Sequence, residues 1–347
     1  MDIGKIDKNF AVEAEIDKTG LCFYSADDEP FRIYGISRIG EAYYRLSPEV
    51  ASTVSAGVLA LSGNTAGGRI RFVTDSKRIA VRVKLNGNTN MPHMPRTGSS
   101  GIDVYEGKKY LCTYRPPAIS KTGAYEAVSY TNNGEWLITL NLPLYDGVSE
   151  LQIGLEEGAS LRPAPDYKYE KPVVFYGSSI TQGGCASRPG NSYESMLSRE
   201  LDANYINLGF SGNAKGEPAI AEYIAGLEMS AFVYDYDHNA TTVEYLESTH
   251  EAMFKTVREK NPDLPIIIVS APKSFLDSYR VRTREVIIRT YENAVAAGDK
   301  NVYFVDGSHF FDEVGDAFSV DGTHPNDLGF YYMAKGIAPV LKEALEK

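Results

Sequence analysis

One serine stands where the chain could do covalent chemistry. Ser179 follows the apolar run 173–176 and the pair Gly177-Ser178, in the stretch VVFYGSSITQGG. A serine hydroxyl is a weak nucleophile at neutral pH, because it keeps its proton until a neighbouring base removes it. Gly-Ser-Ser alone is also typical of a polar turn, so the chemistry depends on what else the chain brings to Ser179.

A base and a carboxylate stand close together near the other end of the chain. In VDGTHP, residues 320–325, Asp321 precedes His324 by three positions. An imidazole titrates near neutral pH and can take a serine proton, and a carboxylate on its second ring nitrogen fixes the useful tautomer. One local turn can carry both side chains, although a turn aspartate beside a surface histidine has the same pattern.

Two further segments offer hydrogen-bond donors for the negative oxygen of an acyl-transfer intermediate. NLGFSGNAKGE, residues 207–217, contains Gly209 and Gly212, whose backbone amides a ligand can approach closely. VYDYDHNA, residues 233–240, contains Asn239, a neutral side-chain donor. One such donor lowers the barrier by about 3–4 kcal/mol. The alternatives are an ordinary glycine turn and an asparagine that begins the next helix.

Five apolar runs in the second half of the chain predict buried strands: VVFY, YINLGF, AFVYDY, PIIIV and NVYFV. Each is followed by a stretch with helical spacing, and Thr241-x-x-Glu244 has the pattern of a capping box. Buried parallel strands form such runs, and right-handed crossovers place helices on both sides of the sheet. Ligands collect at the carboxyl ends of these strands, where Ser179, Gly212 and Asn239 stand. We therefore predict a doubly wound α/β domain over 172–347.

The first half has a different period. Apolar residues alternate with other residues in RIAVRVKL (78–85), WLITLNLPL (136–144) and LQIGL (151–155). Period two is typical of antiparallel strands with one buried face, and no long helix is indicated before about residue 150. We predict a jelly-roll-like β-sandwich accessory domain over 1–155, joined to the second domain by a proline-containing linker over 156–171.

Composition excludes several classes of partner. The 347 residues carry 46 acidic and 35 basic side chains, a net charge of −11, which argues against nucleic acid as a partner. No apolar stretch reaches the ~18 residues of a membrane span, and residues 1–10 lack a signal-peptide core. Three scattered cysteines form no disulfide or metal-ligand pattern, and we predict no metal and no cofactor. A cytoplasmic protein without a membrane partner fits this composition, and a homo-oligomer is left open.

In their order these blocks resemble the SGNH hydrolases, also called the GDSL family, over about residues 172–347. The resemblance implies roles for five residues: Ser179 as nucleophile and oxyanion donor, Gly212 and Asn239 as further oxyanion donors, His324 as base, and Asp321 as the carboxylate that orients it. Two positions depart from the family pattern. Ser178 replaces the aspartate of Gly-Asp-Ser, and Asp237-His238-Asn239-Ala240 replaces Gly-x-Asn-Asp. His238 is therefore a rival base, and both His238 and Ser178 are candidate substrate-binding residues.

The first half carries a second resemblance. GIDVY, residues 101–105, is similar to the Gly-x-Asp-Leu-Tyr motif of the β-sandwich that precedes the hydrolase domain in one SGNH branch, whose members resemble esterases or acyltransferases. The loop before it, 86–100, is long, and loops of this length are often functional. We predict that it reaches the second domain and that His93 and Met94 bind substrate. The alternative is a hairpin tip without a function.

These observations lead to one predicted function and two alternatives. The first is a serine esterase that removes a short acyl group, an acetyl in particular, from a small-molecule or oligosaccharide ester. An acyltransferase would use the same Ser-His-Asp site, and a carbohydrate-binding protein with an inert hydrolase domain would not use it. The 24 tyrosines give weak support to a sugar ligand. We interpret Cys185 and His250 as packed side chains and His309 as a loop residue.

Overall fold

The computed structural model describes residues 6–7, 15–87, 89–117, 123–273 and 277–347. Antiparallel sheets occupy the first half of the chain and one parallel sheet occupies the second, as predicted. The prediction that residues 1–10 lack a signal-peptide core falls mostly outside the described residues. Across the described ranges, no helix combines the length and apolar character that a membrane crossing requires.

The first half is built from short strands in two main sheets. Its strands are β1 (Leu21–Ser25), β2 (Arg32–Tyr34), β3 (Ser37–Ile39), β4 (Ala42–Tyr44), β5 (Arg69–Thr74), β6 (Arg78–Leu85), β7 (Ile102–Glu106), β8 (Lys109–Tyr114), β9 (Ala124–Tyr130), β10 (Trp136–Asn141), β11 (Val148–Glu156) and β12 (Leu161–Pro163). Its helices are short: α1 (Pro48–Val54), α2 (Ala56–Ser62) and α3 (Arg96–Ser99). One sheet has the order β1-β11-β6-β9 and the other β12-β5-β10-β7-β8, with β2 beside β5 and a separate β3-β4 pair.

The apolar residues of these strands meet between the two main sheets. Ile70 and Phe72 of β5 pack in one core with Val81 of β6, Ile138 of β10 and Ile153 of β11, and all five are fully buried. Burying alternate residues of facing sheets is what holds a β-sandwich together. The predicted sandwich is therefore present.

The segment 156–171, predicted as a linker, contains regular structure. β11 ends at Glu156, β12 pairs antiparallel with β5, and the first parallel strand begins at Tyr169. Pro163 ends β12, which lies at the edge of its sheet, where a missing N–H group breaks no ladder bond. Prolines in this segment therefore do not prevent a strand.

The second half alternates strands and helices around the parallel sheet. Its strands are β13 (Tyr169–Gly177), β14 (Ala203–Gly209), β15 (Ala231–Asp235), β16 (Ile266–Val269) and β17 (Val302–Val305). Its helices are α4 (Ser179–Gln182), α5 (Tyr193–Leu201), α6 (Pro218–Ala225), α7 (Val243–Lys260), α8 (Ser278–Ala296) and α9 (Asp327–Glu346). The strand order is β14-β13-β15-β16-β17, and all neighbours are parallel. The doubly wound α/β prediction is confirmed.

Successive residues of β13 enter two different cores, one on each face of the sheet. Val173 and Phe175 pack with residues of α5 and α9, whereas Val174 and Tyr176 pack with residues of α6, α7 and α8. Because both faces are covered, the strand is continuously apolar. In the register of the sheet, Gly177 pairs with the last residues of β14 and β15, so the loops that follow these strands share one edge.

Helices α1 and α2 belong to the first half of the sequence but pack on the second. Ala51 of α1 and Val58 of α2 are buried in the same core as Ile220 and Ile224 of α6. The core of the parallel-sheet half therefore includes residues from well before the predicted boundary.

Helix α7 starts one residue later than the predicted capping box requires. Thr242 is its N-cap, and its hydroxyl accepts a hydrogen bond from the Tyr245 amide at 3.1 Å. The assignment of the cap to Thr241 is wrong. Both positions are threonine, and the backbone decides between them, since Thr242 has the extended conformation that an N-cap needs.

Candidate active site

Ser179 lies directly after the carboxyl end of β13, as the first residue of α4. Ser178 is its N-cap, with the Oγ accepting a hydrogen bond from the Ile180 amide at 3.2 Å. A Cβ on Gly177 would overlap the side chain of Thr181 and the carbonyl oxygen of Asp235, so this turn requires glycine. Ser178 is 2% exposed and engaged in capping, which argues against the predicted substrate contact.

His324 and Asp321 reach Ser179 from the loop before α9. The Ser179 Oγ and the His324 Nε2 are 2.9 Å apart, and the His324 Nδ1 is 2.8 Å from the Asp321 Oδ2. A carboxylate at Nδ1 favours the tautomer with its hydrogen on that nitrogen, which leaves Nε2 as a proton acceptor facing the hydroxyl. The fold thus brings together three predicted residues that span 145 positions of sequence.

Asp321 is held in its ionised form. Its Oδ1 accepts hydrogen bonds from the backbone amides of Thr323 at 2.9 Å and His324 at 2.8 Å. Partial burial opposes the charge, but the hydrogen bonds from His324 and Thr323 outweigh it and lower the pKa of Asp321 to about 2. The carboxylate beside the imidazole therefore stays negative through the neutral and mildly acidic range.

The loop after β14 forms one hydrogen-bonded unit with the predicted oxyanion residues. The Ser211 amide donates to the Gln182 Oε1 at 3.0 Å, and the Asn239 Nδ2 donates to the Phe210 carbonyl at 3.1 Å. An amide NH2 group has two hydrogens, and that bond uses one of them. Gly212 has φ of +67°, with open space where a Cβ would stand. Gly212 and Asn239 therefore lie on adjoining segments at the edge that carries Ser179.

Arg45 is a buried side chain that binds the end of β14, just before this loop. The sequence analysis did not single out this residue. The side chain is 4% exposed, and its guanidinium donates to the carbonyls of Gly209 at 2.7 Å, Asn207 at 3.1 Å and Asn64 at 2.8 Å. Burial lowers the pKa of Arg45 to about 10, so it remains charged at neutral pH. In the sequence, the signal that could have indicated a buried Arg45 is its position inside the mostly apolar stretch AYYRL, residues 42–46.

The loop before GIDVY reaches the second domain, as predicted, and Met94 packs there. The exposed ring of His93 lies 5.7 Å from the ring of His324, measured between centroids. Met94 is 4% exposed and belongs to a core that also contains Leu144 and Phe175. His93 is therefore placed where a substrate could touch it, whereas Met94 anchors the loop, which argues against the predicted substrate contact.

His238 does not approach Ser179 in the way that His324 does. Its side chain is 6% exposed, and its Nδ1 is 2.9 Å from the Asp237 Oδ1. Burial lowers the pKa of His238 although the carboxylate beside it acts in the opposite direction. The imidazole hydrogen-bonded to Ser179 is that of His324, so the rival base is not favoured.

Three side chains at the site have the chemistry of metal ligands. The ligand atoms of His93, Cys185 and His324 all lie within 4.8 Å of one another. Two imidazoles and a thiolate are a ligand set that Zn²⁺ accepts, with bonds of about 2.0–2.3 Å. Burial raises the pKa of the Cys185 thiol to about 11, so a bound ion would have to displace its proton. The sequence shows no metal spacing because the three ligands come from separate segments.

The other two histidines match their predicted environments. His250 is fully buried, its ring stacks on Tyr234 at 4.4 Å between centroids, and its Nδ1 is 2.8 Å from the Thr290 hydroxyl. The side chain of His309 is 70% exposed, and its Nδ1 lies 2.9 Å from the Asp312 Oδ2.

The GIDVY motif attaches the sandwich to the segment that follows α4. Asp103 is fully buried, and its two carboxylate oxygens accept hydrogen bonds from the Asn141 Nδ2 and the Gly190 amide, each at 2.7 Å. A Cβ on Gly190 would collide with Asp103 and with the ring of Tyr105. The motif is therefore a structural joint between the two halves.

Comparisons with known proteins agree with this architecture. Residues 170–342 match the GDSL-like Lipase/Acylhydrolase family, and residues 21–161 match the N-terminus of Esterase_SGNH_hydro-type. Among curated proteins, none matches the chain. A crystal structure from Bacteroides ovatus ATCC 8483, assigned as a GDSL-like lipase, is 30% identical, with 94% of this chain and 98% of that chain covered and a TM-score of 0.84.

Two more distant structures share the fold. The salicylyl-acyltransferase SsfX3 from a tetracycline biosynthetic pathway is 21% identical, with 93% and 97% of the two chains covered and a TM-score of 0.76. A family two carbohydrate esterase from Clostridium thermocellum, solved with cellohexaose, is 15% identical, with 91% and 99% covered and a TM-score of 0.64. From these matches and the site geometry, the chain belongs to the GDSL-like lipase/acylhydrolase family, in the branch with an N-terminal GxDLY-type β-sandwich.

Proposed function

We propose that the protein is a serine esterase that removes a short acyl group, an acetyl group in particular, from a carbohydrate or similar polar ester. One observation carries the proposal. The Ser179 Oγ lies 2.9 Å from the His324 Nε2, while the Asp321 Oδ2 lies 2.8 Å from the Nδ1 of the same ring. This arrangement allows the imidazole to take the hydroxyl proton as the oxygen attacks.

The reaction proceeds through an acyl-enzyme. The Ser179 Oγ bonds to the ester carbonyl carbon as its proton passes to the His324 Nε2. The tetrahedral intermediate then breaks its bond to the alcohol oxygen, which leaves with that proton. Water next attacks the acyl-serine and gives a proton to Nε2, and collapse returns this proton to Ser179 and releases the carboxylic acid. Asp321 stabilises the imidazolium in both halves of the cycle.

Three donors hold the negative oxygen of each tetrahedral intermediate in this proposal. They are the backbone amides of Ser179 and Gly212 and the side-chain amide of Asn239. The hydrogen bond between Asn239 and Phe210 supports the assignment, because it ties the third donor to the loop that carries the second. Fixed donors need no reorganisation as charge develops, which is why each is worth about 3–4 kcal/mol.

The substrate class rests on two weaker supports. The fold is shared with a carbohydrate esterase that was solved with cellohexaose. His93 adds an exposed polar ring beside His324, a suitable neighbour for a hydroxyl-rich leaving group. A second candidate, acyl transfer to an alcohol instead of water, is favoured by the TM-score of 0.76 to the salicylyl-acyltransferase SsfX3.

A fluorophosphonate probe tests the nucleophile. We expect the probe to label the wild type and the Ser178→Ala variant, but not Ser179→Ala. Ser178→Ala is the matched control, since it removes the adjacent hydroxyl and leaves Ser179 in place. An unlabelled wild type would favour the inert carbohydrate-binding alternative.

A substrate panel tests the acyl group and the acceptor. We expect faster turnover of p-nitrophenyl acetate than of the octanoate, and release of acetate from acetylated sugars by the wild type but not by Ser179→Ala. Faster octanoate turnover would contradict the short-chain assignment. Products formed with an added alcohol would decide between hydrolysis and acyl transfer.

A further inference from the structure

A cavity of about 320 Å³ lies between the sandwich and the parallel-sheet half, away from Ser179. Asp202, one of its lining residues, immediately precedes β14, whereas Ser179 follows the carboxyl end of the neighbouring parallel strand. A seven-residue strand such as β14 spans roughly 20 Å at about 3.3 Å per residue. The cavity is therefore at the opposite edge of the sheet from the proposed active site.

Arginines of the sandwich face this cavity because of the strand register. Arg71 of β5 pairs with Thr139 of β10, and Arg69 pairs with Asn141, and all four residues line the cavity. The residues of β5 that alternate with these arginines, Ile70 and Phe72, point into the sandwich core. The polar face of this sheet is thus turned toward the second half of the molecule.

Two guanidinium groups that line the cavity each keep one nitrogen without a hydrogen-bond partner in the described part of the chain. Arg71 is 3% exposed and stacks on Tyr167 with its Cζ 3.8 Å from the ring centroid, yet its buried Nη1 has no hydrogen-bond partner among the described residues. Arg199 comes from α5 in the other half and lies over Tyr105 at 4.3 Å, and its buried Nη1 is likewise without a partner in the described part of the chain. Arg69 differs, because its nitrogens bond to Tyr167, Asn204 and backbone carbonyls.

The charge around the cavity is strongly positive in a chain whose net charge is −11. Four basic residues line it, Arg69, Arg71, Lys108 and Arg199, against one carboxylate, Asp202, which accepts a hydrogen bond from the Lys168 amide at 3.2 Å. A buried charge without a partner is destabilising, so proteins normally pair it or leave it a ligand. Asp103 is the carboxylate that acts on Arg199 from behind the cavity wall, and Asp202 is the one carboxylate in the lining. The cluster therefore keeps more positive than negative charge at the cavity.

We propose that this cavity binds a small oxyanion, a phosphate, sulfate or carboxylate group carried by a molecule no larger than about a monosaccharide. Arg71 and Arg199 are the main ligands, one from each half of the protein. Guanidinium groups suit this task because their planar donors match pairs of oxygens on such anions. The hydroxyl of Thr139 lines the same cavity and adds a neutral donor. The hydroxyls of Ser195 and Ser198 also belong to the lining, but they are hydrogen-bonded to the Tyr205 hydroxyl and the Ala203 carbonyl, each at 2.7 Å.

A groove adjoins this cavity. The groove, of about 720 Å³, shares Lys108 and Arg199 with the cavity and is lined by two further basic residues, Lys335 and Lys342, and one carboxylate, Glu200. A groove lined mainly by basic side chains attracts anions. The proposal does not depend on the esterase activity, since none of these residues touches Ser179 or His324 in the hydrogen bonds described for the site.

Thermal unfolding and titration calorimetry with the full chain test the proposal. The probes are inorganic phosphate, sulfate and glucuronate, with chloride at equal ionic strength and neutral glucose as references. We expect at least one of the three oxyanions to raise the Tm in a concentration-dependent way, because a ligand that binds only the folded state stabilises it. The anion with the largest effect distinguishes a free inorganic ion from a sugar acid.

Variants assign the effect to the cavity. Arg71→Met and Arg199→Gln should each weaken anion binding by about ten-fold or more, the usual result of losing a charge-assisted hydrogen bond. Arg289→Gln is the matched control, because it removes an exposed arginine that pairs with Glu247 on the surface. It should leave anion binding unchanged.

Three results would overturn the proposal. One is a wild type that responds to all three oxyanions no more than to chloride. The second is a full response retained by Arg71→Met and Arg199→Gln, and the third is an equal loss in Arg289→Gln. If Arg71→Met does not fold, Arg199→Gln decides the matter, since its half-exposed position tolerates substitution.

Discussion

Replacing Asp103 by asparagine tests the joint between the two halves through its pH dependence. The buried carboxylate accepts two hydrogen bonds of 2.7 Å, from Asn141 and Gly190, and lies 3.6 Å from the Arg188 Nε. Burial raises the pKa of Asp103 to about 6, although these hydrogen bonds and the nearby arginines oppose the rise. An asparagine has the same shape but does not titrate.

The sign and size of the effect follow from linkage. In the unfolded chain this carboxyl titrates near 3.8. Between that value and about 6, the folded protein keeps a proton that the unfolded chain has released, so the stability of the wild type falls as pH rises. A shift of about two units corresponds to roughly 3 kcal/mol. In Asp103→Asn this loss is absent, but the amide oxygen can serve only one of two donors well, which costs about 1–3 kcal/mol at every pH.

Denaturant unfolding at pH 4 and pH 7, followed by circular dichroism, measures the difference. We expect Asp103→Asn to be less stable than the wild type by about 1–3 kcal/mol at pH 4, because its amide oxygen serves only one of the two donors well. At this pH the wild-type carboxyl is still largely protonated when folded, so the pH-dependent loss of wild-type stability has barely begun. At pH 7 the free energy of unfolding of the variant, relative to the wild type, should rise by roughly 3 kcal/mol. The exposed substitution Asp263→Asn is the control for losing one carboxylate and should show no such rise. A difference for Asp103→Asn that stays constant between the two pH values would refute the reasoning.

Three further predictions concern the site itself. Asp321→Asn should lower kcat by roughly four orders of magnitude, with a smaller change in KM, because the charge that stabilises the imidazolium is lost. An unchanged kcat in steady-state kinetics would contradict the role of Asp321 as the orienting carboxylate. Arg45→Met should destabilise the protein by about 1–3 kcal/mol for each buried carbonyl that loses its donor and lower kcat at least ten-fold. Wild-type stability in denaturant titration would disprove this support. Zn²⁺ should inhibit ester hydrolysis reversibly, and EDTA should restore the activity. Cys185→Ala should need about ten-fold more Zn²⁺ for the same inhibition, because one ligand is lost. Equal inhibition of wild type and variant by Zn²⁺ would show that the cluster of His93, Cys185 and His324 does not bind the ion.

Much of the fold could be predicted because the relevant information is local. Period-two alternation in β6 and β10 and continuous apolar runs in β13 and β16 report directly how many faces of each strand are buried. The Asp321–His324 pair was likewise visible, since a three-residue spacing fits one turn. Gly209 and Gly212 were equal candidates by residue type, and the resemblance was needed to select Gly212 as the oxyanion donor.

The remainder depends on contacts between distant segments. Arg45 donates to carbonyls more than 160 positions away, and nothing in its own neighbourhood identifies those acceptors. The cluster of His93, Cys185 and His324 assembles from three separate loops, so spacing rules for metal ligands do not detect it. The predicted substrate contacts of Ser178 and Met94 rested on their residue types and their positions in the sequence. In the structure the Ser178 hydroxyl caps α4 and the Met94 side chain packs in a core.

In the proposed reaction Ser179 carries the acyl group during turnover, which rapid quenching with peptide mass analysis can detect. After mixing with p-nitrophenyl acetate and acid quench, we expect the added mass of one acetyl group on the peptide that contains Ser179, absent from Ser179→Ala. An acetyl group on another residue, or hydrolysis by Ser179→Ala at the wild-type rate, would show that Ser179 is not the nucleophile.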